Sequence, residues 1–394
     1  MLALAATALG GCVSSGAPRV ADPTVRPPDS IRVASFNAAM AGEGDGELIS
    51  RLAIDFDAQA MAIGAILQRV RPDIVLINEF DHDPEGRSVR RFLTRYLARS
   101  LHGGQPIEYP YHYTAPVNTG MPSGLDLDGD GMVGGPGDAW GFGRFPGQYG
   151  MLVLSRFPIE GTAVRSFREF RWAEMPGALR PMDPATGKPF HPDAVWSQLR
   201  LSSKSHWDLP ITLPNGRRLH LLAAHPTPPA FDGPEDRNGR RNHDEIRLWA
   251  DYLDPARAGY LRDDAGLSGG LAADADFVIV GDYNADPSRG SSVPGAIQQL
   301  LEHPRVDARF VPQSAGAVAA QGGKARAWRD HAADTADFGD PVPGNLRVDY
   351  VLPSRGWTVL GGGVYWPAPG EVGAEQVKAS DHRLVWLDLG TAGR

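Results

Sequence analysis

The chain has 394 residues, 42% of them hydrophobic, and a formal net charge of −8 at neutral pH. This length and apolar content are sufficient to bury a large core. The acidic balance and the lack of a basic run argue against a surface that binds duplex nucleic acid by its phosphates. A local basic patch is compatible with a net negative charge, so nucleic acid is disfavoured and not excluded. Abundant glycine and proline, 47 and 34 residues, predict many turns and extended loops.

The N-terminal segment is typical of an exported protein. Residues 1–11 are apolar and small and end in Leu-Gly-Gly before Cys12, the only cysteine, and a Ser/Pro/Gly-rich stretch follows. This pattern resembles a bacterial lipoprotein signal in which the cysteine is lipidated, although no Lys or Arg precedes the apolar run. The alternatives are an ordinary secretory signal and a disordered start. We expect a signal segment at 1–12, a flexible linker at 13–30, and membrane contact through the N-terminal lipid only.

Apolar runs predict seven strands between residues 31 and 390, the range we assign to the folded domain. They lie at 31–36, 73–78, 150–155, 218–224, 277–281, 347–352 and 383–388. The stretches 103–148 and 166–217 are long and rich in turn formers, and we expect them to be irregular insertions.

Two helices are predicted from apolar side chains at helical spacing. The first covers about 54–70 and ends before Pro72, because proline cannot donate the next helical hydrogen bond. The second begins at Asn242 and runs to about Leu253. Glu245 follows Asn242 by three residues, as in a capping box. The first helix joins two predicted strands, so the domain opens with a strand, helix, strand unit.

Polar side chains stand where several of the apolar runs stop, namely Asn37, Glu79, Asp282, Asn284, Asp381 and His382. A strand buried on both faces is a continuous apolar run, and functional groups are found where such a strand ends. Hard oxygen ligands beside an imidazole favour a magnesium or manganese hydrolase over a zinc or redox site.

Six short motifs follow one another along the chain: Ser35-Phe36-Asn37, Asn78-Glu79, Ala224-His225-Pro226-Thr227, Gly281-Asp282-Tyr283-Asn284, Arg347-Val348-Asp349-Tyr350 and Ser380-Asp381-His382. Each is weak alone, but in this order the set resembles the endonuclease/exonuclease/phosphatase superfamily. That superfamily includes deoxyribonuclease I, abasic-site endonucleases, sphingomyelinases and inositol-polyphosphate 5-phosphatases. The resemblance implies an α/β fold, a four-layer α/β/β/α sandwich with the site at one end.

The resemblance also implies a metal site. Glu79 would ligate Mg²⁺ or Mn²⁺, and Asn37 and Asp381 would complete the shell directly or through water. Hydrolysis of a phosphate ester builds negative charge on the non-bridging and leaving oxygens, which a metal and hydrogen-bond donors offset. Without such a site, Glu79 would be a surface cap, and the other two residues would be turn formers.

Five further residues receive catalytic roles from the resemblance. Asp282 would polarise the attacking water, and Asn284 would donate to a phosphate oxygen. His382 would lie opposite the scissile phosphorus, oriented by Asp349, and His225 would donate to the phosphate or the leaving oxygen. Whether Asp282 or His382 takes the proton from water stays open. A structural histidine and an Asx turn are the non-catalytic alternatives for His225 and for Asp282 with Asn284.

Two other groups are candidate ligand sites. Asp126, Asp128 and Asp130 alternate before glycines, as in the first half of a calcium loop. The twelfth position is Gly137 instead of Glu, so a structural Ca²⁺ site and an acidic surface turn are both open. Lys204 and His206 are candidates for substrate binding, with a solvated face as the alternative.

These observations favour an exported, divalent-metal-dependent phosphoesterase. We expect direct attack by an activated water on a small organic phosphate monoester or diester, because no residue of the set is an activated nucleophile. An extracellular or periplasmic endonuclease is the second interpretation, and phospholipid headgroups are a third substrate class. A binding lipoprotein that has lost the chemistry is the non-enzymatic alternative.

Overall fold

The computed structural model describes residues 21–320, 331–339 and 343–390. Cys12 and the predicted signal segment 1–12 lie outside these ranges. The strands in chain order are β1 (Ser30–Asn37), β2 (Ile74–Asn78), β3 (Tyr111–Tyr113), β4 (Met151–Ser155), β5 (Arg165–Ser166), β6 (His206–Thr212), β7 (Arg218–Ala224), β8 (Asp276–Asp282), β9 (Ala336–Asp337), β10 (Asn345–Leu346), β11 (Asp349–Pro353), β12 (Thr358–Val364) and β13 (Val385–Gly390).

The helices are α1 (Glu47–Arg51), α2 (Ala58–Val70), α3 (Arg87–Arg91), α4 (Asp193–Trp196), α5 (Arg237–Tyr252), α6 (Gln298–Leu301) and α7 (Ala315–Ala320). A π-helical turn, Phe92–Leu97, continues α3. Asp57 caps α2 by accepting a hydrogen bond from the Ala60 backbone N–H, at 2.8 Å. Among the described residues, no helix combines the length and apolar character needed to cross a membrane.

Two larger sheets contain most of the strands. One has six strands in the order β12-β13-β1-β2-β4-β3, and the other has five in the order β11-β8-β7-β6-β5. The pairs β1/β2 and β7/β8 are parallel, and the other pairs within these two sheets are antiparallel. Strands β9 and β10 form a separate two-stranded sheet.

The alternation of side chains along β8 shows how the layers pack. Val278 and Val280 belong to the core cluster that joins both sheets and α2, whereas Phe277 and Ile279 belong to the cluster that contains α5. Successive strand residues point to opposite faces, so one face of this sheet meets the other sheet and the other face meets α5. The predicted α/β fold of two packed sheets flanked by helices is confirmed.

Three expectations about the elements need correction. The stretch 166–217 contains a regular strand, β6, that pairs with β7 over seven residues. Residues 21–30 are held against the sheet instead of forming a free linker, because the Arg32 guanidinium donates to the carbonyl oxygens of Pro23 and Val25. The second helix begins at Arg237, five residues before the predicted start, after Asp236 in a left-handed conformation.

Candidate active site

Strand register brings the predicted polar residues to one end of the two sheets. The parallel pairing of β1 and β2 places Asn37 beside Asn78, the residue before Glu79. The antiparallel pairing of β11 and β8 places Asp349 opposite Asp282. The parallel pairing of β7 and β8 sets Ala224 beside Gly281, so His225 follows next to Asp282. The motifs therefore converge although they are far apart in sequence.

Two asparagines join the sheets at this end. The Asn37 amide nitrogen donates to Glu79 Oε1 at 3.0 Å and to Asp282 Oδ2 at 3.1 Å. The Asn78 side-chain oxygen accepts a hydrogen bond from the Asp282 backbone N–H at 3.3 Å. Asn37 Oδ1 accepts from the Ala39 backbone N–H at 3.1 Å. In this geometry the Asn37 amide nitrogen bridges the Glu79 and Asp282 carboxylates. Ligation of a metal by the Asn37 side-chain oxygen would require the amide to flip.

The backbone is unusual at two of the site residues. Glu79 has φ 58° and Asn284 has φ 51°, both in the left-handed region. Non-glycine residues adopt this region at a cost of about 1–3 kcal/mol, and such residues cluster at functional sites. Asn284 is held there by its backbone N–H, which donates to Asp282 Oδ1 at 2.9 Å, and by its amide nitrogen, which donates to the Pro226 carbonyl at 3.1 Å.

His382 lies between two buried carboxyl groups. Its Nδ1 is 2.9 Å from Asp349 Oδ2, and its Nε2 is 3.6 Å from Asp282 Oδ2. Burial acts to lower the pKa of His382, but the neighbouring carboxylates, Asp349 first and then Asp282, raise it to about 10. The imidazole is therefore a cation at neutral pH, and its Nδ1–H donates to the Asp349 carboxylate.

Asp282 is the centre of the group. Burial raises the pKa of its carboxyl group to about 6, an effect that the cationic His382 opposes and Asp349 reinforces. His225 Nε2 lies 3.4 Å from Asp282 Oδ2. Burial holds the pKa of His225 well below its usual range, and repulsion from Lys204 and His382 adds to this, so His225 is a neutral imidazole. Asp282 thus faces one charged and one neutral histidine.

Lys204 is brought to the same site, and His206 is not. The Lys204 side chain is buried, which lowers its pKa, and the anionic groups opposing this shift are Glu245, Glu79 and Asp282. Both ring nitrogens of His206 are engaged, Nδ1 with Ser202 Oγ at 2.7 Å and Nε2 with the Glu245 carbonyl at 2.9 Å. His206 therefore packs in the core behind the site, and the prediction that it binds substrate is not supported.

Carboxyl groups outnumber cationic side chains around the residues predicted to hold a metal. Burial raises the pKa of Glu79, and the nearby Asp282 adds to this. Asp381 is exposed beside His382 and contributes to the raised pKa of that imidazole. The site holds more carboxylates than cationic side chains, with Glu79, Asp282, Asp349 and Asp381 against Lys204 and His382. This excess of oxygen donors fits a divalent cation.

A buried triad also has the spacing of a metal site. Ligand atoms of Asp282, Asp349 and His382 lie within 4.8 Å of one another. His382 would have to lose its proton to coordinate through Nε2, against the pull of two carboxylates that raise its pKa. Glu79, whose position is not tied to a protonated ring, is the better ligand.

The acidic loop at 126–130 is formed, and its closing residue is one position later than in a calcium loop. Carboxylate oxygens of Asp126, Asp128 and Asp130 lie within 4.8 Å of one another. Asp138 is buried and accepts hydrogen bonds from the backbone N–H groups of Leu127, at 2.6 Å, and Gly134, at 2.8 Å. Asp138 closes the loop through the backbone, and it is not part of the acidic cluster.

Sequence reasoning missed two residues that support the site from α5. Glu245 accepts hydrogen bonds from the backbone N–H groups of Ser203 and Thr227, each at 2.6 Å. Asn242 donates to the carbonyls of Thr227, at 2.8 Å, and Tyr283, at 2.9 Å. The capping-box pattern was a misleading signal, because both residues lie in the middle of α5 and not at its N-terminus. Their side chains bind the site loops.

A sequence model of the Endonuclease/Exonuclease/phosphatase family matches residues 34–382. No curated protein matches the chain. The structure is similar to the endonuclease/exonuclease/phosphatase from Beutenbergia cavernae DSM 12333, with a TM-score of 0.51 and 18% identity over 92% of this chain and 72% of that one. It is also similar to sphingomyelinase C from Streptomyces griseocarneus, with a TM-score of 0.43 and 15% identity over 91% of this chain and 99% of that one.

The family match spans well over half of the 394 residues, and it includes all six motifs. The likeness to the Beutenbergia cavernae structure supports the same fold. The chain therefore belongs to the endonuclease/exonuclease/phosphatase family, whose members are metal-dependent hydrolases of phosphoric esters.

Proposed function

We propose that this phosphoester hydrolase acts on small organic phosphate monoesters or diesters, by direct attack of a water molecule activated at Asp282. The observation that carries the proposal is the convergence on Asp282 Oδ2. His225 Nε2 lies 3.4 Å from this oxygen and His382 Nε2 lies 3.6 Å from it, with Asp349 behind His382 at 2.9 Å. A carboxylate between two imidazoles provides a proton acceptor and two hydrogen-bond donors within one small volume.

Protonation supports Asp282 as the general base. A base must be ionised at the working pH, and Asp282, with a pKa raised to about 6, is mostly ionised at pH 7 while keeping affinity for a proton. His382, with a pKa raised to about 10, already holds its proton. Its cationic ring instead stabilises negative charge that develops on the phosphate.

Three neutral or cationic groups are positioned to bind the phosphate oxygens. His225 donates through Nε2 and Asn284 through its amide, and Lys204 supplies a positive charge. Glu79 would hold the divalent cation, Mg²⁺ or Mn²⁺, with Asp381 and Asn37 beside it, and when bound the cation offsets charge on the phosphate oxygens. The net charge of −8 and the presence of one lysine, Lys204, among the described residues of the site favour a compact anionic substrate over a long nucleic acid.

We place the protein outside the cytoplasm in this proposal, attached through lipidated Cys12. The direction of β1 supports a substrate from solution. Ser30 begins the strand and Asn37 ends it at the site, so the N-terminal segment enters the domain roughly 23 Å from the site at about 3.3 Å per residue. Residues 21–30 are held at that far end by the ion pair of Arg26 with Asp73 and by Arg32, which donates to the Pro23 and Val25 carbonyls. In this proposal the lipid is attached through the segment that enters the domain at this end, which leaves the end with the site free for substrate from solution.

The acidic loop is proposed to hold a structural Ca²⁺ through Asp126, Asp128 and Asp130. The support is the spacing of the three carboxylates, within 4.8 Å of one another. An acidic turn stabilised by its own backbone hydrogen bonds is the alternative, because Gly129 and Gly131 both donate to Asp126, at 2.7 and 3.0 Å.

A substrate screen tests the proposal. Purified protein is assayed with bis-p-nitrophenyl phosphate, p-nitrophenyl phosphate, plasmid DNA and sphingomyelin vesicles, each with Mg²⁺, with Mn²⁺ and with EDTA. We expect metal-dependent release of nitrophenol, with DNA and sphingomyelin cleaved slowly. Glu79→Gln and His225→Ala are the negative controls. Faster cleavage of DNA than of either nitrophenyl ester would replace the proposed substrate by nucleic acid, the second candidate.

A further inference from the structure

The buried face of α5 holds the site loops at fixed distances from one another. Glu245 Oε1 accepts hydrogen bonds from the Ser203 backbone N–H at 2.6 Å and from Ser203 Oγ at 3.0 Å. Glu245 Oε2 accepts from the Thr227 backbone N–H at 2.6 Å. Glu245 is 1% exposed, so these three bonds form in a region shielded from water.

Ser203 and Thr227, the two residues that donate to Glu245, lie close to the functional side chains in sequence. Ser203 precedes Lys204, at the entry to β6, and Thr227 follows His225 by two residues, after the end of β7. One carboxylate therefore sets the spacing between the lysine and the histidine. Asn242, one helical turn before Glu245, extends the same face to a third loop, since it binds the carbonyls of Thr227 and Tyr283.

We propose that Glu245 is a positioning residue that sets the distance between Lys204 and His225, so that both reach the same phosphate. The proposal rests on the proposed function for the nature of the ligand, but the positioning itself is a property of the fold. A carboxylate is required because two separate backbone donors need two acceptor oxygens. A glutamine of the same volume has one oxygen, and its NH₂ group would face an N–H donor.

The charge of Glu245 adds a second effect on the same lysine. Burial lowers the pKa of Lys204, and Glu245 is the foremost of the anionic groups that oppose this shift. The residue that fixes the position of Lys204 also helps to keep it cationic. Removal of the charge therefore weakens phosphate binding even where the loops keep their places.

The chain offers a matched control in the preceding residue of the same helix. Asp244 is completely buried, and its Oδ2 accepts hydrogen bonds from Trp172 Nε1 at 2.6 Å and from the Leu179 backbone N–H at 2.7 Å, while its Oδ1 lies 2.9 Å from His243 Nδ1. Two of these partners lie in the segment 172–179 and the third is the preceding residue of the helix, so none of them belongs to the site loops. Asp244→Asn thus tests the general cost of losing a buried carboxylate in α5.

The experiment compares kcat and KM of Glu245→Gln and Asp244→Asn with bis-p-nitrophenyl phosphate, well below the melting temperature of each variant. We expect Glu245→Gln to lower kcat/KM by about tenfold to a hundredfold, since displacements of about 1 Å at a reacting centre have effects of this size. Asp244→Asn should lower it by less than about twofold. Combined with His225→Ala, Glu245→Gln should cost clearly less than it does alone, because residues that act as a unit are not additive.

Equal losses for Glu245→Gln and Asp244→Asn, or strictly multiplicative losses with His225→Ala, would overturn the proposal. If Glu245→Gln does not fold, Ser203→Ala takes its place, because it removes a single hydroxyl, which lies 3.0 Å from Glu245 Oε1 and 3.4 Å from the His225 carbonyl oxygen. The expected loss of kcat/KM is smaller than for Glu245→Gln. An unchanged kcat/KM in Ser203→Ala would count against the proposal.

A second readout separates this proposal from the proposed function. The imidazole ¹H–¹⁵N signals of His225 should shift in Glu245→Gln and stay in place in Asp244→Asn, whether or not any substrate is hydrolysed. A protein that cleaves none of the probes but shows this pattern refutes the function and supports the positioning. Unchanged His225 signals in both variants refute the positioning.

Discussion

Replacing Asp349 by asparagine should change the pH dependence of the reaction more than its rate at low pH. Asp349 Oδ2 lies 2.9 Å from His382 Nδ1 and is the foremost cause that raises the pKa of His382 to about 10. An amide carries no charge, so it neither stabilises the imidazolium nor enforces the same tautomer. The variant should therefore lose its protonated histidine at a lower pH than the unmodified protein.

The size of the effect follows from the two protonation states. With a pKa of about 10, about 99% of His382 is protonated at pH 8. If the pKa returns to the ordinary value of 6.5, about 3% is protonated at pH 8 and about 75% at pH 6. The rate deficit of Asp349→Asn should thus grow from less than about twofold at pH 6 to roughly 30-fold at pH 8, on top of a constant loss from poorer orientation.

The assay is kcat/KM for one diester from pH 5 to pH 10, with the metal held saturating. Asp208→Asn is the matched control, because Asp208 is another buried carboxylate bonded to a histidine, His220 Nδ1, at 2.7 Å, away from the site. That variant should keep the pH profile of the unmodified protein. A direct titration of the His382 imidazole by NMR checks the assignment.

The free energy of unfolding should also depend on pH through the protonation of His382, in a direction that its pKa defines. Because the pKa of His382 is raised on folding, its contribution to stability is fully present below pH 6.5 and is lost as the pH rises through about 10. Asp349→Asn should remove that contribution. A deficit in kcat/KM that is equal at pH 6 and pH 8 would refute the reasoning and would reduce Asp349 to a purely structural residue.

Three further outcomes are expected. Glu79→Gln should lower metal-dependent activity by about 100-fold or more, since it weakens the cation site, and full activity of the unmodified protein in EDTA would remove the metal mechanism. Activity should fall as the pH drops below about 6, where Asp282 gains a proton; activity undiminished at pH 4.5 would contradict its role as base. Calcium at 100 times its Kd should stabilise the protein by about 2.7 kcal/mol, with replacement of Asp126, Asp128 and Asp130 by Asn abolishing the rise in Tm; no rise in the unmodified protein would refute a calcium site.

Most of the site was predictable because strand ends are visible in sequence. Apolar runs stop at Asn37, at Asn78-Glu79 and at Asp282, and the carboxyl ends of parallel neighbours lie at the same edge of a sheet. The predicted β8 at 277–281 is observed at Asp276–Asp282. A strand that is buried on both faces leaves an unambiguous apolar pattern, and its end marks where polar side chains gather.

The elements that were missed have weaker or misleading patterns. Strand β6 contains His206, Asp208 and Pro210, polar or ladder-breaking residues whose burial depends on partners from distant segments. Strand β12 includes Gly361, Gly362 and Gly363, which have little strand propensity and pair only because β13 is alongside. In both cases tertiary contacts decide the structure, and periodicity alone carries no signal.

The roles of Asn37 and Glu245 show a further limit of sequence reasoning. Spacing identifies which residues reach the site, but it does not identify which atom of an amide faces which partner. Asn37 directs its nitrogen toward Glu79 and Asp282, and Glu245 faces loops instead of its own helix terminus. Orientation depends on neighbours contributed by other elements, and these are known only once the fold is assembled.

The candidate active site lies where the two sheets meet, so its charged residues also affect how the sheets pack. Glu79 extends from one sheet and Asp282 from the other, and burial raises the pKa of each of these carboxyl groups. The Asn37 amide bridges them, and the proton on His382 offsets part of their repulsion. A divalent cation at Glu79 would neutralise more of it in the folded state alone, so metal binding should stabilise the sheet interface as well as the phosphate.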